Sequence, residues 1–165
     1  MRQIWAPWRM AYVGGERTHE GCVLCAIAEG DDEGNRVVEQ AELTYTVLNL
    51  FPYSSGHVMV VPRRHVPDIT ELDADEGAAL FAGAQRAVRV LQEAFKPDGF
   101  NLGINAGVAA GAGIAEHVHL HVVPRWSGDT NFMPVLADVK VIPEHMEQTA
   151  RTLREAYARL GRSPS

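Results

Sequence analysis

Between Glu116 and Pro124 the chain reads His117-Val118-His119-Leu120-His121-Val122-Val123, three histidines interleaved with aliphatic residues. No other stretch limits the possible folds as strongly. Alternation with a period of two belongs to a β-strand with one buried face. The spacing predicts a strand over His117–Val123, with Val118, Leu120 and Val122 in the core and three imidazoles along the opposite side. Three of the seven histidines of the chain in one such row are too many for an incidental solvated face. Alternate strand residues stand roughly 6.6 Å apart, so the outer two histidines are about 13 Å apart at the backbone. Two neighbours could share an ion, but three could not without bending the strand. The spacing therefore favours a division of labour, in which one imidazole attacks and its neighbours position groups or move protons. An imidazole is a competent nucleophile near neutrality, because its ordinary pKa of about 6.5 leaves much of it uncharged.

The rest of the chain supplies a sheet and helices for such a strand. Asp73 followed by Glu76 is a capping-box start, and Leu80, Ala84, Ala87, Leu91 and Phe95 then recur at helical spacing until Pro97 and Gly99. A second helix is expected over about 143–160, opening at Pro143, with Met146, Ala150, Leu153, Tyr157 and Leu160 as its apolar stripe and Gly161 at its end. Thr44–Leu50, Val58–Val61 and Phe100–Ile104 read as further short strands, the first two joined by a turn-rich link over Leu50–Gly56. Strand, strand, helix, strand, strand, helix indicates an α+β domain with an antiparallel sheet. No Gly-rich turn opens a helix, which speaks against a βαβ nucleotide fold. At 165 residues the chain fits one domain.

Upstream of the histidines runs Asn105-Ala-Gly-Val-Ala-Ala-Gly-Ala-Gly113. Such a loop lets a ligand approach the backbone and can present N–H donors to phosphate oxygens. Gly/Ala loops are common, and this one is not a P-loop, since no Lys follows it. Its place just before the histidine strand is what gives it weight, because a donor cradle beside a nucleophile suits phosphoryl or nucleotidyl transfer. The net charge of −6 provides no global field for nucleic acid, so phosphate binding has to be local. No apolar run reaches the length of a membrane span. Pro7, Arg2 and Arg9 interrupt the N-terminus, leaving no signal-peptide core, so a cytoplasmic protein is expected. Cys22 and Cys25 are the only cysteines, and in a reducing compartment the pair reads as a metal half-site or a redox pair.

With these segments in view, the chain resembles the histidine-triad (HIT) superfamily. His117–Val123 matches its His-φ-His-φ-His-φ-φ signature, where φ is an apolar residue. Gly56-His57-Val58-Met59-Val60-Val61-Pro62-Arg63-Arg64-His65 is similar to its Gly-His-φ-φ-φ-φ-Pro-x-x-His strand, and Val47-Leu48-Asn49-Leu50 to the segment before it. Trp5-Ala-Pro-Trp8-Arg9 and Pro124–Phe132 resemble a prokaryotic branch that includes diadenosine tetraphosphate phosphorylases and hydrolases. The likeness covers about residues 22–131, with residues 1–17 as an N-terminal arm.

The resemblance implies a five-stranded antiparallel sheet with two main helices, usually as a homodimer. It implies an enzyme that cleaves at the α-phosphate of a dinucleoside polyphosphate, such as diadenosine tetraphosphate, or of a nucleoside phosphoramidate, through a covalent nucleotidyl-histidine. His119 would be the nucleophile, with His57, His117 and His121 completing the cluster. Asn49 would meet the ribose, and Asn105 with the backbone of Gly111, Ala112 and Gly113 the α-phosphate. The Gln or Ser that many members place before the triad is absent, Gly113 and Ile114 standing there. Some members bind zinc through a set that corresponds to Cys22, Cys25, His65 and His117, a closed Cys₂His₂ site; the alternative is a pair of buried free cysteines. Under the zinc reading His117 is a ligand and not a proton carrier. Mg²⁺ would accompany a polyphosphate substrate. His19 and His145 take no role, and Trp5, Trp8 and Trp126 are candidates to line a base cleft. A nucleotide-binding sensor with weak catalysis is the alternative function.

Overall fold

The computed structural model describes residues 21–30, 36–129 and 145–161. In chain order these form α1 (Val23–Glu29), β1 (Val37–Gln40), β2 (Thr44–Leu48), β3 (Val58–Pro62), a 3₁₀ turn (Ile69–Glu71), α2 (Ala74–Phe95), β4 (Gly99–Ile104), a second 3₁₀ turn (Val108–Ala110), β5 (Leu120–Arg125) and α3 (Met146–Leu160). The strands make one antiparallel sheet in the order β1-β2-β3-β5-β4. This is the α+β architecture read from the sequence.

Helix α2 begins where its local chemistry says. The Asp73 carboxylate accepts from the Glu76 N–H at 2.8 Å and the Glu76 carboxylate accepts from the Asp73 N–H at 3.0 Å, a complete capping box. Its end lies one residue before Pro97, where Lys96 takes a left-handed conformation and returns its N–H to the Gln92 carbonyl. Helix α3 starts at Met146, with exposed His145 as its N-cap. The start expected at Pro143 lies outside the described residues, as do His19, Trp5 and Trp8.

All five residues of β2 and of β3 are buried, so these strands are covered on both sides; β3 is apolar throughout, while β2 also buries Thr44 and Thr46. On one side Leu48, Val58, Val60, Leu120 and Val122 pack against Leu80, Ala84, Ala87, Val90 and Leu91 of α2 and Ala150, Leu153 and Ala156 of α3. On the other, Tyr45, Val47, Met59 and Val61 pack against Leu24 and Ile27 of the short α1. Alternation then places His57 and His121 on the α1 side, as neighbours of Met59 in β3 and partner of Met59 in β5. The sheet thus has a helix-covered side, and a second side only part of which α1 shields.

The strand expected over His117–Val123 is shorter at its start, because the ladder between β3 and β5 begins at Leu120 opposite Val60. Pro62 has no N–H with which to extend it. The Val118 N–H instead donates to the Val66 carbonyl at 2.7 Å. Residues 117–119 therefore leave the ladder, and His117 is free to turn away from the other two histidines.

Candidate active site and candidate metal centre

The histidines form two groups that meet at one residue. The first runs diagonally across the open part of the sheet. Tyr53 stacks on His57 with ring centroids 5.1 Å apart, His57 lies 5.1 Å from His121, and His121 lies 4.9 Å from His119, edge to face. His57 immediately precedes β3, and His121 lies in β5. The segment leading into β5 places His119, which is only 4% exposed, while His57 is fully buried.

The hydrogen-bond partners fix the tautomers along the row. The backbone N–H of Tyr53 donates to Nδ1 of His57 at 3.0 Å, so His57 carries its proton on Nε2. That proton faces Nδ1 of His121 at 3.0 Å, which leaves His121 protonated on its own Nε2. His119 donates from Nδ1 to the carbonyl oxygen of His117 at 2.8 Å. Its Nε2 therefore carries the lone pair. Burial lowers the pKa of His119, against the opposing effect of that carbonyl. Burial first, then the proximity of His119, holds His121 at about 4. Both are uncharged near neutrality, the state in which one can attack and the other can offer an N–H.

Polar groups flank the row. The Asn49 N–H donates to the His57 carbonyl at 3.0 Å, and the Asn49 side-chain oxygen accepts from the Phe51 N–H at 3.0 Å. The β4–β5 register ends at Ile104 opposite Leu120. Half-buried Asn105 is the next residue along the chain, just past the end of that ladder. The loop beyond makes its 3₁₀ turn between Gly107 and Gly111, whose φ angles of 81° and 89° favour glycine. Gly113 is exposed and Ala112 half-buried.

The second group is Cys22, Cys25, His65 and His117, whose ligand atoms all lie within 4.8 Å of one another. The Cys pair comes from the start of α1, His65 follows β3, and His117 precedes β5. Nδ1 of His117 is 3.4 Å from Sγ of Cys22 and 3.5 Å from Sγ of Cys25, and Nδ1 of His65 is 3.3 Å from Sγ of Cys25. A tetrahedral ion with Zn–S of about 2.3 Å and Zn–N of about 2.0–2.1 Å would separate such atoms by about 3.6 Å. His117 donates from Nε2 to the Pro62 carbonyl at 2.9 Å, which leaves Nδ1 as the lone-pair nitrogen on the side of the sulfurs. Burial and then the neighbouring Cys22 push the Cys25 thiol up to about 11, so a cation is what would hold Cys25 as a thiolate. The donor set and its spacing fit zinc.

Of the residues singled out in the sequence, His57, His119 and His121 thus form one row, and Cys22, Cys25, His65 and His117 one cluster. His117 stands with the cluster and not on a shared face with the other two. Trp126 is half-buried at the end of β5, where its N–H donates to Asp129. Sequence reasoning missed Tyr53, Pro62 and Val66. The latter two act through backbone carbonyls, which every residue type supplies, and Tyr53 through its backbone N–H, which every residue but proline supplies, and through its ring stacked on His57. A single signal pointed toward Tyr53, its position in the turn just before the Gly56-His57 pair.

Against known proteins, the HIT domain family model matches residues 32–128. An AP-4-A phosphorylase of Mycobacterium tuberculosis is 40% identical over 167 residues, covering 96% of this chain and 86% of that protein. A bis(5'-adenosyl)-triphosphatase of Dictyostelium discoideum is 42% identical over 84 residues, 51% of this chain and 56% of that one. A Zn-bound histidine triad family protein from Mycobacterium smegmatis superposes with a TM-score of 0.71 at 34% identity, covering 86% of this chain and 96% of that one.

Proposed function

This chain belongs to the HIT domain family, and from that premise we propose that it cleaves dinucleoside polyphosphates at the α-phosphate, with His119 as nucleophile and orthophosphate as the acceptor. One observation carries the reading. His119 commits its Nδ1 proton to the His117 carbonyl at 2.8 Å, which leaves Nε2 as the attacking atom. The likeness over 96% of the chain to an AP-4-A phosphorylase supports the choice of substrate and acceptor.

Nε2 of His119 forms a bond to phosphorus, the P–O bond to the remaining phosphates breaks, and the leaving oxygen takes the electron pair. Asn105 and the amides of Gly111, Ala112 and Gly113 hold the non-bridging oxygens, Asn49 holds the ribose, and His121, fixed as its Nε2–H tautomer, adds a donor. Orthophosphate then breaks the N–P bond and leaves with the nucleoside monophosphate as a nucleoside diphosphate. With diadenosine tetraphosphate the products are ATP and ADP. A nucleoside phosphoramidate would enter the same first step with an amine as leaving group. Zinc at Cys22, Cys25, His65 and His117 is structural in this scheme, a closed site with no open position for substrate. Mg²⁺ would arrive with the polyphosphate. A homodimer along the open edge of β4, where Asn101, Leu102 and Gly103 are exposed, belongs to the same proposal, and sedimentation checks it.

The test is to mix the protein with α-labelled diadenosine tetraphosphate, with and without orthophosphate, and identify protein adduct and products by mass. An acid-labile, base-stable label on His119, discharged as ADP by orthophosphate, is expected. A label that persists in His119→Ala would end the assignment. Discharge to AMP alone would replace phosphorolysis by hydrolysis, and binding without turnover would favour a sensor.

A further inference from the structure

The two groups of histidines share one peptide unit, that between His117 and Val118. Its carbonyl accepts the Nδ1–H of His119 at 2.8 Å, and its N–H donates to Val66 at 2.7 Å. On either side of that second bond stand two members of the Cys/His cluster. His65 precedes Val66, and His117 precedes Val118. The His117 ring is held from behind by the Pro62 carbonyl at 2.9 Å. In front, Nδ1 meets the two thiol sulfurs at 3.4–3.5 Å, weak partners unless a cation joins them, and the His65 ring lies edge-on at 5.1 Å.

The frame around this peptide is anchored up to Arg64. Arg63 donates from Nε to the Ala41 carbonyl at 2.8 Å. Arg64 donates to both carboxylate oxygens of Glu76, at 2.7 and 2.5 Å, and to the Glu71 carbonyl at 2.7 Å. From that anchor the path to His119 runs through His65, Val66 and the 117–118 peptide. His65 and His117, if both held the same metal ion, would close the path into a rigid loop.

We propose that His117 is a positioning residue for the nucleophile, and that metal occupancy of the Cys/His cluster holds the 117–118 peptide so that His119 keeps its Nδ1–H tautomer and the aim of Nε2. The proposal rests on the reading of His119 as nucleophile. It assigns to the metal cluster a catalytic consequence without any metal–substrate contact. An imidazole in the wrong tautomer presents N–H where a lone pair is required, so the effect falls on the chemical step and not on substrate binding.

The experiment compares zinc-loaded and chelated protein, labelled with ¹⁵N in histidine, by long-range ¹H–¹⁵N correlation without substrate. Single-turnover labelling of His119 is followed in parallel. Loaded protein should show His119 as the Nδ1–H tautomer. Metal removal should mix the tautomers and slow labelling by about 10-fold or more, the range in which supporting shells of metal sites act, while KM stays within about twofold. An unchanged tautomer and rate in folded, metal-free protein would overturn the proposal. Should chelation unfold the chain, zinc-loaded His65→Ala serves instead, since His65 is exposed. It should fold, retain metal, lose the single tautomer and regain it in His65→Cys. His65→Ala with wild-type tautomer and rate would equally overturn the idea. Loaded wild-type protein that never forms the label would instead refute the nucleophile assignment, so the two failures are distinguishable.

Discussion

The two sides of the sheet are built on different principles. On the helix-covered side fourteen buried residues of the sheet, α2 and α3 make one apolar core, and packing governs every position. On the other side α1 and the sheet bury six hydrophobic residues together, and the remaining space belongs to imidazoles, thiols and backbone carbonyls. The contrast teaches that this fold separates stability from chemistry by strand parity. Val58, Val60, Leu120 and Val122 hold the sheet to the helices, while the residues between them, Met59 and His121 among them, face the site. A substitution on one side should therefore affect stability with little effect on turnover, and the reverse should hold on the other.

The largest expected departure lies on the histidine side. His119→Ala removes the proposed attacking atom, and under that proposal it should lower kcat/KM by about 10⁴-fold or more, as loss of a covalent catalyst does in other enzymes. It leaves a small cavity beside His121, and the melting temperature should change little, because the helix-side core is untouched. Steady-state assays and calorimetry on the same preparation check both halves. A variant that melted far below wild type would show that the imidazole row carries part of the fold, and the separation of roles would fail there.

The reverse experiment belongs to Gly83. A Cβ at this position of α2 would come 2.7 Å from Cγ1 of Val60 in β3, closer than carbon atoms tolerate. Gly83→Ala should overpack the helix-side core at a cost of about 1–3 kcal/mol, a fall in melting temperature of several degrees. Turnover by the folded fraction at 25 °C should remain at the wild-type level. Loss of kcat in step with stability would mean that strain crosses the sheet from Val60 to its neighbours Met59 and Val61.

Acid separates the two sides in a different way. His121 is held neutral by burial, its pKa about 4 against an ordinary 6.5. The unfolded chain takes up a proton near 6.5 that the folded chain refuses until about 4, so stability falls as the pH drops through that window. Glu76 behaves differently. Hydrogen bonds from Arg64 hold its carboxyl at about 2 against an ordinary 4.5, so its contribution survives to about pH 4.5 and is lost between there and about 2. Urea midpoints measured from pH 7 to pH 3 should fall through the histidine window first, and zinc-loaded His121→Asn should show a smaller fall there than wild type. An equal fall in the variant would remove His121 from the account.

Much of this division could be read from the sequence, for a physical reason. Asp73 and Glu76 make their bonds within three residues, and the apolar stripe of α2 repeats locally, so both are encoded where they occur. The histidine row is likewise visible, because strand parity is a local property. What could not be read depends on partners far along the chain. The true start of β5 is set by the bond from Val118 to Val66, and the tautomers by the N–H of Tyr53 and the carbonyls of Pro62 and His117. Helix α1 spans seven residues with two of them buried, and β1 four residues with one. Neither is long enough to display a period, and both owe their conformation to what they pack against.

The smallest expected effect falls where the two sides touch. Asp73 caps α2 on the helix side, yet its partner in the capping box, Glu76, also receives Arg64, the residue before metal-cluster member His65. Asp73→Ala removes one side-chain acceptor from the first turn and should cost about 1 kcal/mol, a few degrees in melting temperature for a chain of this size. Glu76 keeps its pair of bonds to Arg64, so the anchor of the metal cluster stays in place. Zinc content and kcat should then equal wild type at 25 °C. If Asp73→Ala instead lost metal or turnover, the capping box would be supporting His65 through Glu76 and Arg64, and the boundary between the stabilising side and the reactive side would have to be drawn inside the first turn of α2.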